Sequence, residues 1–264
     1  MQNHVSKALL RKQYSEIESP VKPEWIRVKL PTDKINEVKN TVSSNRVITV
    51  CEEAMCPNLS ECWTKSHATF MILGDTCTRS CSFCNIATGK PKVVDIFEPL
   101  RIAKSVEKLN LSHVVITSVD RDDLRDGGAQ HFSDTINQIK LKCPSTTIEV
   151  LTPDFRNKKN AIELLASCPI DVFNHNLETV KSLYRNVRPG ADYDHSLSIL
   201  KKIKQINHNI FTKSGIMIGL GEKFSQIIKL MDDLRRHDVD FITIGQYLRP
   251  TKNHHPVIEY HDLE

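Results

Sequence analysis

The chain has 264 residues, 39% of them hydrophobic and 26% charged, with a formal net charge of +4 and eight cysteines. This length supports one large core or two modest ones. So small a positive charge supplies no concentrated basic face for nucleic acid. No apolar run approaches the ~20 residues of a membrane helix, so neither nucleic acid nor membrane is an expected partner.

Residues 1–30 are polar, contain Pro20 and Pro23, and read as an extended arm in which Trp25 and Ile26 are available as anchors on a larger body. The arm is basic at first, soon acquires Glu16 and Glu18, and has no apolar signal-peptide core. A mitochondrial leader would be poorer in acids and richer in Ser and Arg. The expected location is therefore cytoplasmic, where a reducing medium suits unpaired thiols. Residues 33–44 (DKINEVKNTVSS) have helical spacing at Ile35, Val38 and Val42, with Thr32 or Asp33 as N-cap. A short β-branched run, Val47 to Val50, leads into the cysteines.

Six of the eight cysteines lie between Cys51 and Cys84, as two triplets. Cys51, Cys56 and Cys62 are spaced C-x4-C-x5-C, and Cys77, Cys81 and Cys84 are spaced C-x3-C-x2-C. Structural zinc takes four protein ligands, whereas an iron–sulfur cubane takes one thiolate per iron. Three thiolates on a cubane leave one iron able to bind something else. A zinc knuckle completed by a histidine is the alternative for the second triplet. A disulfide framework fits poorly, because the chain is not small and no secretion signal precedes the cysteines.

From Ala68 onward, apolar runs that suit buried parallel strands alternate with amphipathic stretches that suit crossover helices. The spacing predicts strands at Thr69–Leu73, His113–Ser118, Thr147–Leu151, Asp171–Asn174, Ser214–Gly219 and Phe241–Gly245. Helices are predicted at 99–109, 129–142, 158–167, 177–186, 193–206 and 224–237. The fold class is α/β, a partial (β/α)6 TIM-like barrel over 68–264, with an N-terminal extension over 1–67 that carries the first triplet. Chemistry in such barrels gathers at the carboxyl ends of the strands. The second triplet follows the first of these strands, and Thr117, Ser118, Asp120 and Arg121 follow the second. Asn174, His175 and Asn176 follow the fourth, Gly219, Gly221 and Glu222 the fifth, and Gln246 to Arg249 the sixth.

The second triplet, with Phe83 just before its last cysteine, resembles the signature of the radical S-adenosylmethionine (SAM) enzymes. The first resembles the auxiliary-cluster motif of the lipoyl synthase family within them. ATFMILGDTCTRSCSFC, VVITSVDRDDLRDGGAQHF, DVFNHNLETV, VRPGADY, TKSGIMIGLGE and GQYLRP stand in that family's order, and the likeness spans about residues 25 to 260. It implies two 4Fe–4S clusters, one on Cys77, Cys81 and Cys84 and an auxiliary one on Cys51, Cys56 and Cys62. It also implies SAM as cosubstrate, with Phe83 near the adenosine and Thr117 and Ser118 near the amino group. Asn174, Glu178 and Arg188 would meet the ribose hydroxyls and the carboxylate, which a guanidinium fork suits.

The implied activity belongs to lipoate biosynthesis and protein lipoylation. Sulfur from the auxiliary cluster is inserted at C6 and C8 of an octanoyl chain on a lysine of a carrier domain. The implied partners are octanoylated lipoyl domains of 2-oxoacid dehydrogenase complexes, the glycine cleavage H protein and an electron donor. The family continues beyond the point matching Glu264 to an Arg-Ser-Ser-Tyr motif whose serine ligates the auxiliary cluster. Ser43-Ser44 and Arg79-Ser80 are the nearest fragments here, and neither matches. The alternative expectation is thus a truncated form that cleaves SAM or binds clusters without inserting sulfur. A biotin-synthase-like sulfur inserter would lack the first triplet, and a zinc or cluster-binding module would not need six βα units with polar strand ends.

The remaining polar groups read as structural. In the run from Asp120 to Asp126, Arg121 and Arg125 favour an internally salt-bridged loop over a metal site. Gly127-Gly128 and Gly219-Leu-Gly221 allow close backbone approach or positive φ, and neither belongs to a P-loop or dinucleotide fingerprint. His67, His175, His254 and His255 read as surface or hydrogen-bonded residues, and Cys143 and Cys168 as small buried ones.

Overall fold

The computed structural model describes residues 14–27, 33–65, 67–156 and 158–262. The expected caps Thr32 and Asp33, through its side chain, and much of the expected arm lie outside the described residues. The N-terminal elements are α1 (Asp33–Asn45), β1 (Ile48–Thr49), α2 (Val50–Glu53) and α3 (Leu59–Thr64). Then come β2 (Thr69–Ile72), β3 (Thr76–Cys77), β4 (Ala87–Thr88), α4 (Glu98–Lys108), β5 (His113–Ser118), α5 (Ala129–Lys142) and β6 (Thr147–Leu151). The chain continues through α6 (Ala161–Ala166), β7 (Val172–Asn174), a 3₁₀ turn (Lys181–Leu183), α7 (Tyr184–Val187), α8 (Tyr193–Ile206), β8 (Phe211–Ile218), α9 (Phe224–Arg236) and β9 (Phe241–Gln246).

The main sheet has seven strands in the order β1-β2-β5-β6-β7-β8-β9. All pairings are parallel except β1 with β2. Each parallel neighbour is the next strand of the βα series, so the sheet grows in one direction and stays open, with β1 and β9 as its edges. This is the α/β architecture of a partial barrel. Its outer face is packed by helices: Phe70, Ile72, Val114, Ile116, Ile148, Val150 and Phe173 are fully buried, as are Ile102 and Val106 of α4 and Phe132, Ile136 and Ile139 of α5. Each such side chain contributes about 1.5–3 kcal/mol by leaving water. Val38 and Val42 of α1 and Trp63 of α3 join this same core, so the first triplet rests on the sheet through apolar packing. At the far edge Phe241, Ile242 and Ile244 remain substantially exposed.

Three predicted elements differ. The expected helix over 177–186 is replaced by an extended stretch, the 3₁₀ turn and the single turn of α7. Glu178 has φ +66° and bridges to Ile216, its N–H donating to the Gly215 carbonyl and its carbonyl accepting from Met217 N, which holds the segment alongside β8. The helix expected from 158 begins at Ala161, because Asn160 has φ +63°. Strand β8 begins three residues earlier than expected, because Phe211, Thr212 and Lys213 pair with Val172, Phe173 and Asn174. In the arm, Trp25 is not an anchor, and Ile26 is half-buried. Trp25 is 38% exposed, and a hold comes from Arg249, which donates to the carbonyls of Tyr14 and Ile17, and from Tyr14 packed against His255 with tilted rings 5.3 Å apart.

Candidate active site

Beyond β2 the chain must turn sharply to bring three thiols over the strand ends. Leu73 and Gly74 take φ of +68° and +90°, and Glu98 fixes the turn by accepting from Leu73 N (2.7 Å) while paired with His131 Nε2 (2.7 Å). Arg121 donates to the Leu73 carbonyl from the other side (3.1 Å). Pairing of β3 with β4 closes the base of the cysteine loop. Its tip is stitched to three regions: Thr78 N to Asp120 O (3.0 Å), Ser82 N to Val187 O (2.9 Å), and His255 N to Ser82 O (2.9 Å). His254 Nε2 lies 3.1 Å from the Cys84 carbonyl.

The three thiols of this loop interact electrostatically, Cys84 with both Cys77 and Cys81. Burial pushes Cys81 up to about 12, against the pull of the Arg188 guanidinium, and Cys84 up to about 11, against the Ile86 N–H. Burial also raises Cys77, whose Sγ lies 3.8 Å from Asp120 Oδ2. Among the described residues no three His, Cys, Asp or Glu side chains gather tightly enough to hold a single metal ion. A cubane makes no such demand, because each thiolate binds a different iron.

Two buried arginines flank the loop. Arg79, between Cys77 and Cys81, makes paired bonds to Asp122 (2.8 and 2.8 Å) and Asp154 (2.8 and 2.7 Å) and lies 3.4 Å from Asp120. Arg188 spends Nη1 on the Asn176 carbonyl (2.9 Å) and Tyr184 Oη (3.0 Å), and its Nε and Nη2 have no protein partner among the described residues. Glu178 is raised by burial, against the attraction of Arg188. Ser118 Oγ and Asn174 Oδ1 are buried without a protein partner. An open guanidinium edge and a nearby carboxyl beside three converging thiols, with an orphaned hydroxyl at the end of β5, fit the carboxylate and amino group of an amino-acid-bearing cosubstrate.

The expected site residues do not all share one position. Cys77, Cys81, Cys84, Glu178 and Arg188 come together. Thr117 Oγ1 already donates to the Leu151 carbonyl (2.9 Å). Asn174 Nδ2 is committed to Glu149 (2.7 Å), which also binds Lys213, in a polar cluster between strands β6, β7 and β8. Phe83 packs against the small apolar group of Val187, Leu220, Tyr247 and Val257. Cys51, Cys56 and Cys62 interact with one another on α2, α3 and the turn between them, and burial comes first in raising Cys51 and Cys62. Asn85 Nδ2, one residue past Cys84, donates to the Glu53 carbonyl (3.0 Å) and so ties the two triplets' loops together.

Sequence reasoning missed Arg79, Asp154 and the 254–255 segment as neighbours of the thiols. The Asp120–Asp126 run is salt-bridged internally only through Arg121 and Asp123 (2.9 Å), while Asp120 and Asp122 turn to Arg79. A guanidinium enclosed between two cysteines of one triplet, with aspartates at the next two strand ends, was the available signal. Gly219 behaves as expected: with φ +95°, an added Cβ would lie 2.3 Å from Gln246 Nε2 and 2.4 Å from the Glu259 carbonyl. His175 is buried and bonded to Thr152 O (2.8 Å) and Ser196 Oγ (3.1 Å), whereas His67 is exposed.

Among solved structures, SuiB of Streptococcus suis bound to S-adenosylmethionine superposes with TM-score 0.56 at 15% identity, over 77% of this chain and 47% of SuiB. Methylornithine synthase (PylB) gives 0.57 at 14%, over 96% and 72%. The hydrogenase maturase HydG of Carboxydothermus hydrogenoformans gives 0.55 at 13%, over 88% and 60%. At these identities the likeness is one of fold, and the chain spans about half the length of SuiB. Among the described residues no helix is long and apolar enough to cross a membrane. The family model of the Radical SAM superfamily matches residues 71–234, more than half of the sequence and the whole span from β2 into α9. The chain belongs to the radical SAM superfamily, whose enzymes use a 4Fe–4S cluster and SAM for radical chemistry.

Proposed function

We propose that this chain is a lipoyl-synthase-like sulfurtransferase that inserts sulfur at C6 and C8 of an octanoyl group carried on a lysine of a lipoyl domain or of the glycine cleavage H protein. The observation that carries the reading is the second set of three thiols, Cys51, Cys56 and Cys62, held beside the first by the Asn85–Glu53 bond. Radical SAM chemistry needs one cluster, and a second triplet tied to its loop supports sulfur transfer. Bound SAM and its cluster supply, on one-electron reduction by a donor, a carbon radical able to remove hydrogen from an unactivated C–H bond.

Cys77, Cys81 and Cys84 would hold that cluster, one thiolate to an iron, so that a cubane would keep one iron open for the cosubstrate. The open edge of Arg188 takes the carboxylate, Ser118 Oγ accepts from the amino group, and Glu178 meets the ribose. Phe83, packed on Val187, Leu220, Tyr247 and Val257, would meet the adenosine, while Thr117 and Asn174 would shape the strand ends around it. Residues 1–67 serve as the carrier of a second cluster and residues 68–264 as the SAM-binding body, working in the reducing cytoplasm.

The test is anaerobic reconstitution, followed by mass spectrometry of an octanoyl-lysyl peptide incubated with SAM and dithionite. The expected products are 5′-deoxyadenosine and a peptide heavier by sulfur. Deoxyadenosine with an unmodified peptide, from protein holding both clusters, would replace this reading with that of a SAM-cleaving form unable to insert sulfur.

A further inference from the structure

The cysteine loop contains a cation whose burial needs a reason. Arg79 has a side chain only 7% exposed, and its partners lie on segments distant in sequence: Asp122 in the turn after β5 and Asp154 in the turn after β6. Asp154 is 2% exposed, and it also accepts from Arg156 N (3.1 Å). Its backbone carbonyl takes His195 Nε2 of α8 (2.8 Å). Lys158 Nζ steadies the Asp122 turn from below, donating to the carbonyls of Asp122 (2.9 Å) and Leu124 (2.7 Å). The guanidinium is thus bolted to two strand ends through four bonds, and no edge is left for a ligand.

We propose that Arg79 is a positioning residue for the cluster of this loop. Its double fork onto Asp122 and Asp154 sets where Cys77 and Cys81 stand, and it holds the Asp120 carboxyl against the Cys77 sulfur. The geometry of the loop alone does not supply this. A flexible loop with three thiols closes around a cluster in several arrangements, and a rigid planar fork selects one. Asp120 completes the device: with Oδ1 3.4 Å from Arg79 Nε and Oδ2 3.8 Å from Cys77 Sγ, it links the clamp to a cluster ligand. A carboxylate at that distance disfavours added negative charge on the ligand and so makes reduction harder.

The experiment uses the full chain, reconstituted anaerobically, in three forms: wild type, Arg79→Lys and Asp120→Asn. Lysine keeps the charge and loses the fork, and asparagine keeps the shape and loses the charge. The readouts are iron and sulfide per chain, the EPR spectrum of the dithionite-reduced protein with and without SAM, and the midpoint potential of the SAM-responsive signal. Thermal melting of the metal-free chains measures stability separately. In Arg79→Lys the SAM-responsive signal is expected to broaden or split and its yield to fall severalfold. In Asp120→Asn the midpoint is expected to move to a more positive potential, with the melting temperature little changed.

A purely structural arginine predicts a lower melting temperature and an unaltered signal in the chains that fold. That outcome for Arg79→Lys, with an unmoved midpoint in Asp120→Asn, overturns the proposal. Where the lysine variant does not fold, the isosteric Asp122→Asn, which weakens one arm of the fork, replaces it, and the same two spectral outcomes decide.

Discussion

The two triplets carry the same ligand chemistry on different foundations. Cys51, Cys56 and Cys62 sit on two short helices and a turn, and Cys56 N donates back to the Cys51 carbonyl (3.0 Å) within a continuous piece of chain. Cys77, Cys81 and Cys84 are held by groups from the ends of β5 and β6, from α7 and from the segment beyond β9. Charged side chains surround the second triplet, whereas the first lies against the apolar core through Trp63 and Cys51. On the proposed function, a site that only holds a cluster is built locally, and one that must also bind and orient a charged cosubstrate draws on several strands.

The comparison breaks most sharply with single cysteine replacements. Cys81→Ala is expected to abolish deoxyadenosine formation, while Cys56→Ala leaves it intact and removes only sulfur insertion; chromatography and mass spectrometry of one reaction read both. Equal loss from the two variants would merge the triplets into one functional unit. Next in size is Trp63→Ala beneath the first triplet. Its side chain is 1% exposed, so about 3–5 kcal/mol of stability should go, seen as a lower denaturant midpoint. The second triplet's foundation is tested by Arg188→Lys, which loses the open fork. SAM affinity of the cluster-loaded protein should weaken on the order of tenfold or more in equilibrium dialysis, with the fold unchanged.

The most gradual effect is on the pH dependence of stability, spread over several pH units, and it reports the barrel that supports the second triplet. Burial, with Arg188 nearby, holds His175 down to about 3 from its ordinary 6.5. The unfolded chain therefore binds that proton first, so stability is full above about pH 6.5 and is lost as the pH falls. Burial would raise Glu149, but His113, Asn174 and Lys213 hold it at about 2, adding a second loss below 4.5. Each group contributes a slope of up to about 1.4 kcal/mol per pH unit. Urea midpoints between pH 7 and 4 should fall accordingly, and His175→Asn or Glu149→Gln should flatten its own part of the curve.

Much of the barrel was legible because its strands and helices alternate in clean apolar periods. His113–Ser118, Thr147–Leu151, 129–142 and 193–206 stand where the pattern puts them. The grouping of six cysteines into two triplets was legible in their spacing, and the fold brings the members of each triplet together. Glu178 broke the helical reading because its backbone conformation is imposed by β8, a partner remote in sequence. The clamp on Arg79 was invisible for the same reason. It joins residues 43 and 75 positions apart, and no local period carries that information.

Gly219 has a reach longer than its size. Its carbonyl accepts from Ile258 N (2.8 Å), and the space a methyl would need is filled by Gln246 and the Glu259 backbone. The same strip of chain, a few residues back, carries the N–H of His255 that grips Ser82 and the ring of His254 beside Cys84. One carbon atom added at position 219 would act as a wedge under a lever, lifting the strip and slackening its grip on the thiols from a point that touches none of them.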